Sequence, residues 1–107
     1  MIAIVNSLPV EEGAADRSVE RFVESCGHVQ GFPGFVSMEV LKSDTEDAVL
    51  VLTRWQDRES FDAWVGSEEF SRAHGRGGAG GLLREHPKMT SYEVAVERGP
   101  EVRREAG

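Results

Sequence analysis

The segment Ala48–Trp55 limits the folds open to this chain more than any other stretch of its sequence. It reads as a strand, so its side chains alternate between two faces. One face would carry Leu50 and Leu52, and the other would carry Val49, Val51 and Trp55. A strand that is apolar on both faces has to be covered on both sides. The fold must therefore provide two covers for one sheet.

Alternating polarity predicts three further strands, which span residues 2–8, Phe35–Leu41 and Met89–Val96. The first strand would place Ile2, Ile4 and Asn6 on one face, and Ala3, Val5 and Ser7 on the other. In the second strand, one face would be shared by Val36, Met38 and Val40. In the last strand, one face would be shared by Thr90, Tyr92, Val94 and Val96.

Two helical segments are predicted between these strands. An apolar stripe at helical spacing runs from Ala15 to Val29, where a run rich in Gly and Pro ends it. Asp57 has the side chain of an N-cap for the second helix. That helix is interrupted at Gly66 and Ser67 and restarts as a short helix through His74.

The order strand–helix–strand–strand–helix–strand is the ferredoxin-like βαββαβ pattern, an α+β fold with one antiparallel sheet. Its helices cover one face of the sheet, which leaves the second apolar face of Ala48–Trp55 bare. A second copy of the chain can cover that face. We therefore expect a homodimer whose two sheets pack into a dimeric α+β barrel. Residues 1–97 would form one domain and residues 98–107 a charged, frayed tail.

Composition excludes several classes of partner. The net charge of −7 argues against nucleic acid, which requires a basic surface, and against anionic membrane surfaces. No apolar run approaches the roughly 20 residues of a membrane span, and the first residues lack the pattern of a signal peptide. The single cysteine, Cys26, cannot form an intramolecular disulfide. We expect a cytoplasmic protein whose partner is a small molecule or another protein chain.

Three residues are candidates for chemistry, and each has a plainer interpretation. Asn6 is an amide among apolar neighbours, so it is either satisfied by nearby backbone or lines a cavity and binds a ligand. Trp64 is either a core residue or a rigid wall for a planar ligand. His74 ends a short helix before a glycine-rich loop, so it is either a surface residue or an imidazole ligand to a metal.

The other candidates are weaker. Cys26 occupies the buried stripe of the first helix, and His28 and His86 lie beside turn residues, which predicts solvated imidazoles. The segment Gly75–Gly81 contains a literal dinucleotide-binding pattern, but it follows a helix and opens none, so we reject that interpretation. A flap over a ligand and a plain loop are both compatible with this segment.

The residues just described resemble the antibiotic biosynthesis monooxygenase superfamily over about residues 2–97, and within it the IsdG-like haem-degrading monooxygenases. Two features resemble the whole superfamily: the Gly-Phe-Pro-Gly-Phe run ending at Phe35, and the Val-Leu-Thr-Arg-Trp run ending at Trp55. The more specific likeness lies in Asn6, in Phe-Asp-Ala-Trp ending at Trp64 and in Ser-x-x-Phe-x-x-Ala-His ending at His74.

The resemblance implies a role for each of these residues. His74 would be the axial ligand of haem iron, and Asn6 would donate a hydrogen bond to oxygen bound on the distal side. Trp64 would crowd the macrocycle and distort it, and Arg76 is a candidate partner for the propionates by position and charge. Haem would be both cofactor and substrate, consumed with O2 and an external electron donor from a reductase or a small-molecule reductant.

Two other functions are compatible with the same residues. One is a cofactor-independent monooxygenase of an aromatic polyketide quinol, in which Asn6 and Trp64 position the substrate and His74 is incidental. The other is a dimeric haem-binding protein without enzymatic activity. Titration of the protein with haemin, followed by reductant in air, would separate these functions.

Overall fold

The computed structural model describes residues 1–25, 29–68, 70 and 85–100. Within them lie four strands, which are β1 (Ile2–Pro9), β2 (Phe35–Lys42), β3 (Ala48–Trp55) and β4 (Lys88–Glu93). Two α-helices, α1 (Ala15–Ser25) and α2 (Arg58–Val65), and a 3-10 turn at Val29–Gly31 complete the described elements. The ferredoxin-like α+β order expected from the sequence is confirmed.

The strands form one antiparallel sheet in the order β2-β3-β1-β4. Both helices pack against the same face, which we call the helix face. On β1 this face carries Ile4 and Leu8, and on β3 it carries Val49, Val51 and Trp55, all of them buried. The opposite face, which we call the open face, carries Val5, Leu50 and Leu52, none of them fully buried.

The helix face has two apolar clusters. One lies near the start of β1 and brings together Ile4, Val29, Trp55, Phe61 and Trp64. The other lies under α1 and contains Leu8, Val10, Val49 and Val51. Burial of these side chains is the main contribution to stability that the described fold offers. Asn6 lies on β1 between Ile4 of the first cluster and Leu8 of the second.

Three expectations from the sequence need correction. Val36 does not share a face with Met38 and Val40, because the β2–β3 register shifts between Phe35 and Ser37. A bulge inserts one residue and reverses the alternation on either side of it. Val36 is exposed as a result.

The other two corrections concern the ends of elements. The described part of α1 ends at Ser25, and Val29 lies in the 3-10 turn. Strand β4 ends at Glu93, opposite Ile2, because β1 offers almost no residues beyond that point. Val94 makes one more hydrogen bond, from its N–H to the Met1 carbonyl oxygen at 3.0 Å. Val96 lies outside the strand.

All four strands lie within residues 1–97, and residues 98–100 are exposed and without regular structure. The domain boundary at residue 97 stays a prediction. Among the described residues, no helix has the length and apolar character needed to cross a membrane.

Candidate active site

Asn6 is a polar residue on the helix face of β1, between two buried apolar residues. It lies opposite Val51 of β3 and Met89 of β4, and its neighbours along the same face of β1, Ile4 and Leu8, are 4% and 5% exposed. Asn6 itself is half-buried, and its side chain makes no hydrogen bond with the described residues. It is not at an exposed strand end. The amide is therefore held on an apolar surface with its hydrogen-bonding capacity free within the described structure.

Met89 lies directly beside Asn6. Residues opposite each other in an antiparallel pair place their side chains on the same face, so Met89 shares the helix face. It is 56% exposed although it is apolar. Helices α1 and α2 cover β1 and β3 at this level but leave this part of β4 uncovered by the described residues. Asn6 and Met89 thus lie side by side at the β4 side of the helix face, on an area that the described residues leave uncovered and that we call the recess.

Trp64 is packed into the core at one side of this recess. It is 6% exposed, its ring stacks on Trp55 with centroids 6.4 Å apart, and its faces and edges meet Phe32 and Phe70. The Trp55 indole N–H donates to Thr53 Oγ1 at 3.1 Å, whereas that of Trp64 makes no hydrogen bond with the described residues. Trp64 shares its cluster with Ile4, and Asn6 is the next residue along that face. The fold therefore brings Trp64 and Asn6 to the same part of the helix face.

The caps of α2 explain where Trp64 lies. Asp57 accepts hydrogen bonds from the Ser60 N–H and hydroxyl, both at 2.8 Å, which confirms it as the N-cap. The Ser60 N–H, helped by the Ser60 hydroxyl, lowers the pKa of the Asp57 carboxyl below its ordinary 3.8. Gly66 ends the helix. Trp64 is thus placed in the last turn of a helix whose two ends are both defined by local sequence.

The interruption after α2 is also defined locally. The Ser67 hydroxyl donates to the Trp64 carbonyl oxygen at 2.6 Å and accepts from the Phe70 N–H at 3.1 Å. Glu68 and Phe70 are helical again. Ser67 therefore ends one helix and begins the next, as the sequence predicted.

Arg58 connects α2 to the edge of the recess. Its Nη1 donates to Ser91 Oγ at 3.1 Å, its Nε pairs with Asp62 Oδ1 at 3.2 Å, and its guanidinium lies 5.8 Å from the Phe61 ring centroid. Ser91 lies opposite Ile4 on the helix face, one position along that face from Met89. This contact fixes the start of α2 relative to β4, so one wall of the recess has a defined position.

The remaining predicted site residues lie outside the described part of the chain. These are His74 and Arg76, together with the loop Gly75–Gly81 and the weaker candidates Cys26 and His28. Within the described residues, His86 is exposed, as expected. No group of three His, Cys, Asp or Glu side chains in the described ranges could hold a metal ion.

Sequence reasoning missed Met89, which it treated only as the first residue of a strand. Its proximity to Asn6 depends on the register between β1 and β4, which are at opposite ends of the chain. No local pattern reports such a pairing. The one usable signal was that an apolar residue begins the last strand and has no apolar partner two or four residues further along.

The chain belongs to the antibiotic biosynthesis monooxygenase family, whose sequence model matches residues 1–76. Curated relatives match almost the whole chain. The heme-degrading monooxygenase of Halalkalibacterium halodurans is 34% identical over 110 aligned positions, covering 100% of this chain and 93% of that protein. The heme-degrading monooxygenase of Bacillus thuringiensis subsp. konkukian is 34% identical, with 94% and 95% covered. The resemblance found in the sequence is therefore confirmed at the level of the family.

Solved structures agree. A variant of MhuD with two manganese protoporphyrin IX molecules bound per active site superimposes with a TM-score of 0.78 and 26% identity, covering 94% of this chain and 100% of that chain. MhuD of Mycobacterium tuberculosis, a heme-degrader with two hemes bound in its active site, gives a TM-score of 0.74 at 23% identity, covering 92% and 100%. The second likeness, at its lower identity, concerns the fold alone.

Proposed function

We propose that this chain is a haem-degrading monooxygenase that binds haem as its substrate, opens the macrocycle with O2 and a reductant, and releases iron. The observation that carries the proposal is the free Asn6 amide on an apolar face. The near full-length similarity to relatives named as heme-degrading monooxygenases supports the same substrate.

The recess fits the substrate chemically. A porphyrin is apolar over its two faces, so it gains from a floor of apolar side chains such as Met89 with Ile4 behind it. The half-buried Asn6 amide makes no hydrogen bond with the described residues, so a ligand that accepts from it would replace water without breaking a bond within the described structure. Bound haem would supply the iron at which O2 is activated and the ring carbon that is oxidised.

We propose a role for each candidate residue of the site. Asn6 would donate a hydrogen bond at the place where oxygen reacts. His74 would bind the iron through a neutral imidazole nitrogen. Trp64 is a buried core residue in the described structure, so its ring would have to move away from Trp55 on haem binding before it could press against the macrocycle and distort it. Arg76 would pair with a propionate through charge. Electrons would come from a reductase or a small-molecule reductant, and the cytoplasm is the compartment we propose.

We further propose that the working unit is a homodimer joined through the open face. Leu41, Leu50 and Tyr92 on that face are 42%, 36% and 54% exposed, and Val5 and Leu52 lie between them. Helices of the same chain pack on the opposite side. A second copy supplies an identical sheet face, which carries the Glu39–Arg54 ion pair among its apolar side chains, and two such sheets pack about 10 Å apart.

Titration with haemin tests the function directly. We expect a saturable shift of the Soret band at one haem per chain, followed by loss of the band when ascorbate is added in air with catalase present. Catalase removes free peroxide, so the remaining decay belongs to the protein-bound reaction. Saturable binding without decay would identify a haem-binding protein instead, and the absence of binding would favour a quinol monooxygenase.

The replacement His74→Ala tests the assigned iron ligand. We expect a weaker complex with a changed Soret spectrum and no turnover, while the far-ultraviolet circular dichroism stays that of the native protein. His86→Ala is the matched control, because His86 is exposed and lies outside the strands and helices. An unchanged spectrum and decay in His74→Ala would remove this residue from the site.

A further inference from the structure

Met89 and Asn6 are neighbours on the helix face, but the function proposed above gives a role to only one of them. Asn6 has a hydrogen-bonding role in that function, whereas Met89 has none. The two residues are direct partners in the β1–β4 register, so their Cβ atoms lie within about 5.5 Å on the same face. A broad planar ligand that contacts the Asn6 amide from above the sheet would therefore also meet Met89.

The exposure of Met89 is unusual for its place. The apolar residues of the helix face on β1 and β3 are nearly all buried, with Val51 at 4% and Val49 at 0%, whereas Met89 is 56% exposed. A single exposed apolar side chain on a protein surface needs no explanation. Here it adjoins a half-buried amide that makes no hydrogen bond with the described residues. An exposed apolar side chain beside a free amide suits a ligand that is mainly apolar and has one hydrogen-bond acceptor.

The surroundings of Met89 fix its position along the sheet. Ser91, the next helix-face residue of β4, is held by Arg58, which is itself paired with Asp62 on α2. The backbone of β4 is hydrogen-bonded to β1 through the whole length of the strand. The Met89 side chain is flexible and polarisable, and thioethers make favourable contacts with aromatic rings. A rigid backbone with an adaptable side chain suits contact with a broad planar ring.

We propose that Met89 contacts the face of the macrocycle next to Asn6 and thereby sets which edge of the ring lies beside the amide. It is a specificity-determining residue, and this role rests on the haem-degrading function proposed above. Truncation of Met89 would allow the ring to rotate in its plane or to shift toward β4. Oxidation would then spread over more than one meso carbon.

The three methionines of the chain make a spectroscopic test available. The protein is labelled with ¹³C at the methionine methyl groups and titrated with zinc protoporphyrin, which is diamagnetic and inert to O2. A ring current shifts only methyl groups close to the macrocycle. We expect the Met89 resonance to move most. Met38, which packs against both core clusters, is the internal control and is expected to move little.

Two variants extend the test to affinity and product. Met89→Ala is expected to weaken zinc protoporphyrin binding by about tenfold, because it removes most of one apolar contact, and to broaden the ratio of tetrapyrrole isomers formed from haem. Met89→Leu keeps the volume and is expected to preserve both. Val96→Ala is the matched surface control, since Val96 is exposed and lies beyond β4.

The outcomes separate this inference from the function on which it rests. If wild-type protein does not change the fluorescence of zinc protoporphyrin at all, the proposed function fails and the role of Met89 fails with it. If the porphyrin binds while the Met89 methyl stays in place, or if Met89→Ala gives the wild-type affinity and isomer ratio, the function stands and the role of Met89 is wrong.

Discussion

At the scale of single residues, the amide of Asn6 sets β1 apart from an ordinary core strand. Ile4 and Leu8 on either side of it are buried apolar residues, and an apolar side chain at position 6 would satisfy the same pattern. An amide there gives up part of its hydration without gaining a hydrogen bond to the described residues. Under the function proposed above, the amide would gain this interaction when the substrate binds.

We expect Asn6→Ala to bind haem with nearly wild-type affinity but to degrade it roughly 100-fold more slowly, a loss typical of a donor that acts on developing charge. Single-turnover decay of pre-loaded haem is the measurement, because it removes affinity from the comparison. Ser7→Ala, on the open face of the same strand, is the control. A lower melting temperature with normal decay would make Asn6 a structural residue.

At the scale of elements, the contribution of Asp57, the N-cap of α2, to stability depends on pH. A carboxyl whose pKa is lowered by folding stabilises the native state fully above its ordinary pKa, here 3.8, and loses that contribution as pH falls through the lowered value. We therefore expect Asp57→Ala to lower the melting temperature by the same amount at pH 7 and pH 5, and by less below pH 3.8. Thermal melts across this range check it.

Asp57→Asn is the companion variant for that measurement. An asparagine side chain still accepts a hydrogen bond from the Ser60 N–H but carries no titrating charge. We expect it to retain most of the neutral-pH stability and to lose the extra pH dependence. A gap between wild type and Asp57→Ala that stays constant down to pH 3 would show that the charge contributes nothing.

The turn before β2 depends on Gly34. This residue has φ of +85°, its carbonyl oxygen accepts from the Gln56 N–H at 2.8 Å, and a Cβ at this position would overlap the Ser60 side chain. We expect Gly34→Ala to lower the free energy of unfolding by about 2–4 kcal/mol, from left-handed backbone strain and from steric overlap. Urea denaturation measures the loss.

Two other glycines distinguish the effect of backbone strain from the effect of steric overlap. Gly13 has φ of +73° but nothing near a Cβ, so Gly13→Ala should show only the strain, about 1–2 kcal/mol. Gly31 has neither feature, and its alanine variant should change stability by less than about 0.5 kcal/mol. Equal losses at all three positions would contradict the steric explanation.

At this scale, a feature could be predicted from the sequence when the residues that determine it are close together in the chain. The bounds of β3 and the Asp57 cap were predicted correctly because density of apolar residues and capping are local signals. The face of Val36 was wrong, because a bulge depends on the partner strand. The end of β4 was wrong for a similar reason, since it is set by the length of β1. The proximity of Asn6 to Met89 depends on the same long-range pairing.

At the scale of the whole molecule, the open face is a sheet surface that none of the described helices covers. Sequence reasoning left undecided whether Val51 or Leu52 faces a partner, and the fold resolves this: Val51 is buried under α1, and Leu52 lies on the open face.

We expect Leu52→Lys to dissociate the homodimer, because the new charge would add to the Glu39–Arg54 pair on the same face and would be buried in the barrel. Sedimentation velocity should report the 11.8 kDa monomer, or an unfolded chain, where wild type gives twice that mass. Val65→Lys, which places the same charge at an exposed apolar position on α2, should leave the dimer intact. A wild-type protein that sediments as a stable monomer would rule out the barrel.

The alternation of side chains along β1 links the proposed dimer interface to the proposed haem site. Val5 and Ser7 point to the open face, while Asn6 between them points to the helix face. Neighbouring residues of β1 therefore face the proposed subunit interface and the proposed substrate site. A single-residue insertion ahead of Asn6 would exchange the two sets of side chains. The amide would then lie in the interface and valine at the site. Natural length variation in this protein should therefore avoid β1 and accumulate in the segments that connect the strands and helices.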